Sequence, residues 1–436
     1  MNQARKLIGI VLTSLLVAGT ALSQKVETVK GRAFSSPLAR GFMPRASTAE
    51  VDPQAKPGAP AAVDGVRTVH NAKGGLWGKS PKISLTKVGT LGDVEATDAN
   101  LAFYMPSDLA LDGSGNLYVL DTGNHRIQKF GPNGKFLSSF GRQGQGPGDF
   151  YYPDSLGIDV RGTLFVGDPN NQRIQVVSAD SKDNKTIRAP NNNVGRIVLL
   201  RSGRLLMAPG RGGFMIGPGG MDKKEEPSKI VKILDLEGRV VAEFGTPFEY
   251  GEMLLNRMGN EVLFTADAAD NVYLLFPFQN RIEKFSADTK LLWKADRPLN
   301  YSVDPPKDKG KMEQQGGRFS VRLPQMNRCA SGVAADGKGR LWVATLNRQL
   351  KKEEQVSMSM TVMNSGGSRT VGYKPEGDTD LRTTDAYKLE IFDPDGVFLG
   401  EIPVDSFIDG VFIVGDRLFL LDKLRGTRFT EYKIVG

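Results

Sequence analysis

The sequence predicts an all-β fold, a six-bladed β-propeller of four-stranded antiparallel blades. Three observations carry that reading. Short apolar runs alternate with turn residues from Pro106 onward, the runs recur in six copies, and the copies repeat about every 40 to 50 residues.

The pattern is clearest from Pro106 to Phe150, which reads PSDLALDGSGNLYVLDTGNHRIQKFGPNGKFLSSFGRQGQGPGDF. Its runs LALD, NLYVL, RIQKF and KFLSSF are separated by DGSG, DTGNH and GPNG. Runs this short suit strands and not helices. Four strands with tight turns make one antiparallel sheet, which buries too little to stand alone. Copies are therefore expected.

The second strand recurs as NLYVLD, TLFVGD, RLLMAP, NVYLLF, RLWVAT and RLFLLD, and the third as HRIQKF, QRIQVV, KIVKIL, NRIEKF, YKLEIF and TRFTEY. Successive second strands, counted from Leu117, Leu164, Leu205, Val272, Leu341 and Leu418, are 47, 41, 67, 69 and 77 residues apart. Setting aside insertions at 210–228, 300–328 and 348–385 brings the last three spacings to 48, 40 and 39. That is the period of a propeller blade. The sixth unit holds only three strands before Gly436, and KISLTKVGTLGD from Lys82 supplies a candidate fourth. An N-terminal strand completing the last blade would close the ring and remove its open edges.

These residues resemble the NHL-repeat six-bladed propellers over 81–436, most clearly in GNHRIQKF and NNQRIQVV. FGRQGQGPGDFYYP is similar to a segment of secreted bacterial six-bladed propellers. The third strands of blades three, five and six lack the Asn-x-Arg-Ile form. The resemblance implies the fold more than any activity, because propellers host many unrelated functions.

Residues 1–23 have Arg5 and Lys6, an apolar run from Leu7 to Ala18, and small residues at Ala21 and Ser23. That is the layout of a cleaved secretory signal peptide, so an exported protein, periplasmic or extracellular, is expected. The run is too short to span a membrane comfortably, and no later segment approaches transmembrane length. Residues 24–80, rich in Ala, Pro, Gly and charge, read as a disordered basic tether. The tether has nine basic and four acidic residues, a net of +5, and the signal adds +2. Of the chain's +8, about +1 is left for the propeller. Some NHL propellers bind RNA, but nucleic acid demands a dense basic footprint, which this composition excludes. Cys329 is the single cysteine and reads as a packed small hydrophobe.

Connections from first to second strand and from third to fourth share one face, and all are short. The three insertions fall on the other face, which is where binding residues concentrate on a rigid scaffold. There the sequence places His125, Arg126, Arg173 and Arg281 as ligand-binding candidates, with Arg196 at the channel mouth and Phe214 on a Gly-rich lid. Asp121 and Asp168 stand five residues before Arg126 and Arg173, so those pairs can equally tie strand ends together. Arg281 has Phe276 at the matching position and reads as freer. Asp108, Asp154, Glu261 and Asp409 are a candidate Ca2+ set at the channel mouth, since calcium takes several oxygen ligands. A polar channel with Arg196 offsetting the charge is the other reading. VSMSMTVMNSGGSRTVGY in the last insertion reads as a hairpin turning at NSGG. Its alternation makes Val356, Met358, Met360 and Val362 a packing face more readily than a copper(I) site.

Three function classes stand. The first is a monomeric binding module that holds a protein, peptide or glycan on the insertion-bearing face and needs no cofactor. The second is a calcium-dependent lactonase-like or lyase-like enzyme, as the resemblance implies for several six-bladed propellers. The lyases use several histidines, and this chain has only His70 and His125. The third is a cell-surface sensor or structural protein.

Overall fold

A computed structural model describes residues 61–63, 65–178, 183–189, 193–208, 229–315, 318–365 and 368–436. The expected signal peptide, most of the tether and the whole 210–228 insertion, with Phe214, lie outside these residues.

Six sheets follow one another along the chain. Blade one is Asp108–Leu111, Leu117–Asp121, Arg126–Phe130 and Phe136–Phe140. Blade two is Ser155–Ile158, Leu164–Asp168, Arg173–Val177 and Asn184–Ile187. Blade three is Ile197–Leu199, Leu205–Met207, Val231–Leu234 and Val240–Phe244. Blade four is Leu263–Ala266, Val272–Leu275, Ile282–Phe285 and Leu291–Ala295. Blade five is Ala330–Ala335, Leu341–Leu346, Tyr387–Phe392 and Phe398–Pro403. Blade six is Gly410–Val414, Arg417–Asp422 and Arg428–Val435, with Ser84–Leu91 paired antiparallel to its third strand.

The second strands explain why the sequence reads as continuous apolar runs. Each lies between two neighbouring blades, so residues of both parities are buried. In blade one Leu117 and Val119 pack toward blade six, while Tyr118 and Leu120 pack toward blade two. In blade five Leu341 and Val343 face blade four, and Trp342 and Ala344 face blade six. The hydrophobic core is accordingly a set of clusters, one between each pair of neighbouring blades, and the sequence runs right round the ring.

Turns on the short-loop face repeat one device. Asp112, Asp159, Asp235, Asp267, Asp336 and Asp393 each accept two backbone N–H bonds, from residues two and four further on. A carboxylate at the start of a turn mimics backbone pairing and fixes the loop. These turns leave no room for insertions.

Two features differ from the sequence reading. The tether's last residues are folded: Val66–Val69 runs parallel to the outer strand of blade four, and Ala61–Val63 pairs onto it. Asn71 then bridges blades four and five through Asp296, Gly396 and Phe398, and the Trp77 N–H donates to the Leu399 carbonyl. Composition hid this because the segment borrows its order from the blades it covers. The second is a short helix, Met253–Gly259, in the connection from blade three to blade four.

Candidate functional site

The insertion-bearing face is built first from a repeated local motif. Tyr104 and Tyr151 lead into blades one and two in the segments Phe103–Pro106 and Phe150–Pro153. Their backbone N–H groups donate to Asp121 and Asp168 at 2.8 and 2.9 Å. The second oxygen of Asp121 accepts from Asn124 and Arg126 at 2.9 and 2.8 Å, and that of Asp168 from Asn171 and Arg173 at 2.8 and 3.1 Å. Both aspartates are fully buried, so the spacing of Asp, Asn and Arg supplies the donors that a buried carboxylate requires. The tie between strand ends is thus what these pairs do. Arg173 also donates to the carbonyls of Gln145, Gly146 and Asp149, which leaves it committed within the disc. Arg126 spends one further donor on the Ala99 carbonyl and stays 23% exposed.

His125 closes the turn of blade one in a left-handed conformation, φ 55°. Its Nδ1 accepts the Tyr152 N–H at 2.9 Å, which fixes the hydrogen of the neutral ring on Nε2. Burial lowers its pKa, so the ring is neutral at physiological pH. Tyr152 is also left-handed, φ 50°, just before Pro153, as Met105 is before Pro106. Left-handed non-glycine residues cost energy and persist where surroundings hold them. Here the hold is aromatic. The Tyr152 ring sits 4.4 Å from His125 and 4.8 Å from Tyr373, and Tyr151 lies 5.5 Å from Tyr152.

Tyr373 belongs to the last insertion, from blade five. That insertion forms the expected hairpin, Ser357–Ser365 with Ser368–Glu376, turning after Ser365. Tyr104 donates its hydroxyl to the Tyr373 carbonyl at 3.2 Å. At the root, Arg348 grips both oxygens of Glu354 at 2.6 and 2.7 Å and also Asp385. Arg348 therefore holds the Glu354 carboxyl down to about 2. Tyrosines of blades one and two thus meet a hairpin arising from blade five. The sequence reading missed Tyr104, Tyr151 and Tyr152, although the repeat of Phe-Tyr-x-Pro before both blades was the available signal.

The channel mouth joins some candidates and separates others. Arg196 of blade three donates to Asp108 of blade one at 3.0 Å and reaches the Asp154 carbonyl at 3.4 Å. Asp108 also accepts the Leu109 and Leu156 N–H groups, yet burial raises its pKa to about 6 against the pull of Arg196. Across the mouth, Asp409 accepts the Lys423 N–H, and Glu261 follows the short helix. Asp108, Asp154, Glu261 and Asp409 are not gathered together: among the described residues no three His, Cys, Asp or Glu side chains form a group that could hold a metal ion. Arg196 offsets the Asp108 charge there.

Arg281 is a correction. In place of a free cation, its guanidinium stacks on Phe276 at 3.8 Å, donates to the Thr246 carbonyl at 2.6 Å and lies 3.2 Å from Glu283. Glu283 stands where blade two has Gln175, and a carboxylate only 2% exposed needs a cation beside it. Cys329 is fully buried, with Arg297 donating to its sulfur at 2.7 Å and the Pro277 carbonyl 3.2 Å away. It packs as expected of a structural thiol.

The NHL repeat model matches residues 103–130, from the tyrosine lead-in through the third strand of blade one. The chain is therefore a six-bladed β-propeller that carries an NHL repeat. No curated protein matches it. Among solved structures it is similar to a member of the duf4221 family from Bacteroides vulgatus, at 11% identity over 81% of this chain and 99% of that one, TM-score 0.50. It is also similar to a streptogramin B lyase, at 11% identity over 81% and 97%, TM-score 0.44. A third is a gluconolactonase from Xanthomonas campestris, at 14% identity over 83% and 91%, TM-score 0.42. The likeness to the duf4221 member bears on the fold alone. Among the described residues no helix is long and apolar enough to cross a membrane.

Proposed function

We propose that the chain is an exported binding module whose ligand, a protein, peptide or glycan, sits on the face that carries the hairpins. One observation carries this reading. Among the described residues, the connections between strands that hold more than a tight turn, with two hairpins and the short helix, lie on one face, whereas aspartates pin the turns opposite. Long ordered connections on a rigid disc are where proteins place recognition residues.

Tyr104, 36% exposed, together with Tyr152, whose ring packs on the buried His125, is the contact surface we assign. Tyrosines give large, stiff area with a polar tip, which suits both sugar rings and peptides.

A glycan array and a peptide library screened with the purified chain test this. A binder is expected whose affinity drops about tenfold or more on Tyr104→Ala or on replacing residues 357–376 by a short Gly-Ser turn. Undiminished binding by both variants would overturn the assignment. Chelator-sensitive hydrolysis of lactones by the parent chain would favour an enzyme instead.

A further inference from the structure

The hairpin of residues 357–376 presents two outer strand edges, and length together with residue type sets one of them apart: the outer strand of blade one, Phe136–Phe140, also lacks charge and proline but has five residues. An unpaired edge is a template for another strand, and proteins guard edges with charge, proline or shortness. The strand Ser368–Glu376 is guarded by Arg369, Lys374, Pro375 and Glu376, and its Tyr373 carbonyl is taken by Tyr104. The other long hairpin, Lys311–Gln315 with Arg318–Arg322, carries charge on both strands. The outermost strand of blade four, Ala61–Val63, is three residues long. Ser357–Ser365 differs from all of these: its nine residues, SMSMTVMNS, hold no charge and no proline. Among the described residues its only ladder partner is Ser368–Glu376.

We propose that this edge pairs with the same edge of a second copy of the chain, giving a two-fold symmetric dimer joined by a four-stranded sheet. Antiparallel pairing centred on Thr361 sets Ser357 opposite Ser365 and Met360 opposite Val362 of the second copy. Identical strands normally risk opposing like charges; this one has none to oppose. A self-complementary patch closes after two copies, as a two-fold interface must. A two-stranded ribbon is marginal alone, and doubling it supplies the third and fourth strands that make a sheet stable. A monomer is what the sequence reading expects.

Light scattering on the full chain across a wide concentration range reads the outcome. The parent is expected to show twice the chain mass at the upper concentrations. Thr361→Lys and Thr361→Glu are each expected to be monomeric there, since like charges meet on the axis, and an equimolar mixture of the two is expected to regain the dimer. Unchanged melting of both variants shows that the blades still fold. A parent that stays monomeric throughout, including one whose edge is taken instead by another protein's strand, overturns the proposal. So does a dimer that survives either substitution.

Discussion

Asp108 shows how burial and pairing compete at a single carboxylate. Its partners are an Arg196 guanidinium and two backbone N–H groups, yet its loss of hydration is larger, and the pKa rises from 3.8 to about 6. The folded chain therefore holds this proton more tightly than the unfolded chain. Its contribution to stability falls as pH rises from about 4 to about 6, by on the order of 2 kcal/mol. Asp108→Asn is expected to flatten that part of the stability profile, measured by urea unfolding at a series of pH values. An unchanged slope would show that Asp108 ionises as it does in water. Elsewhere a buried carboxylate has a cation beside it. Glu390 accepts from Thr345 at 2.7 Å and lies 3.1 Å from Lys388, which in turn meets Glu401 at 2.6 Å. Such chains resist removal of any one member.

At the scale of elements, the hairpin from blade five depends on its root as much as on the tyrosines. Gly377 has φ 126°, and a Cβ there would stand 2.4 Å from the Gln355 carbonyl oxygen. Glycine is thus the residue that lets the strand return. Gly377→Ala is expected to strain the root by about 1–3 kcal/mol. Faster amide exchange across 357–376, with the blades' protection unchanged, is the measurable result. The turns opposite behave differently, because an aspartate at the start of each of six of them accepts two N–H groups of its own loop.

For the whole molecule, closure is the governing contact. Ser84–Leu91 pairs with Arg428–Val435, so the two ends of the propeller share one blade. The segment before it covers the outer strands of blades four and five. Deleting the chain through Leu91 would leave the third strand of blade six as an open edge and uncover part of the blade five to six cluster, which contains Ile83. The truncated chain is expected to melt about 10 °C lower or more, or to aggregate. A peptide spanning residues 82–92, added in trans, is expected to recover part of the loss. A truncated chain with the parent's melting temperature would show that closure adds no stability.

Much of this was legible along the chain. Period-two burial on both sides of Leu117–Asp121 and Leu341–Leu346, and aspartates such as Asp112 and Asp336 at tight turns, are local patterns. They set strand number, blade number and the hairpin at NSGG, because they depend on backbone geometry and burial within one repeat. Interactions between distant repeats were not legible. That Arg196 would take Asp108, or that Tyr373 would meet Tyr152, depends on which loops the ring brings side by side. By itself the sequence determined the repeating sheet and its decorated face, since each blade's pattern is complete within about 40 residues. Only the tertiary structure decided which side chains share a site, because those pairings join residues more than 80 positions apart and exist only once the disc has closed.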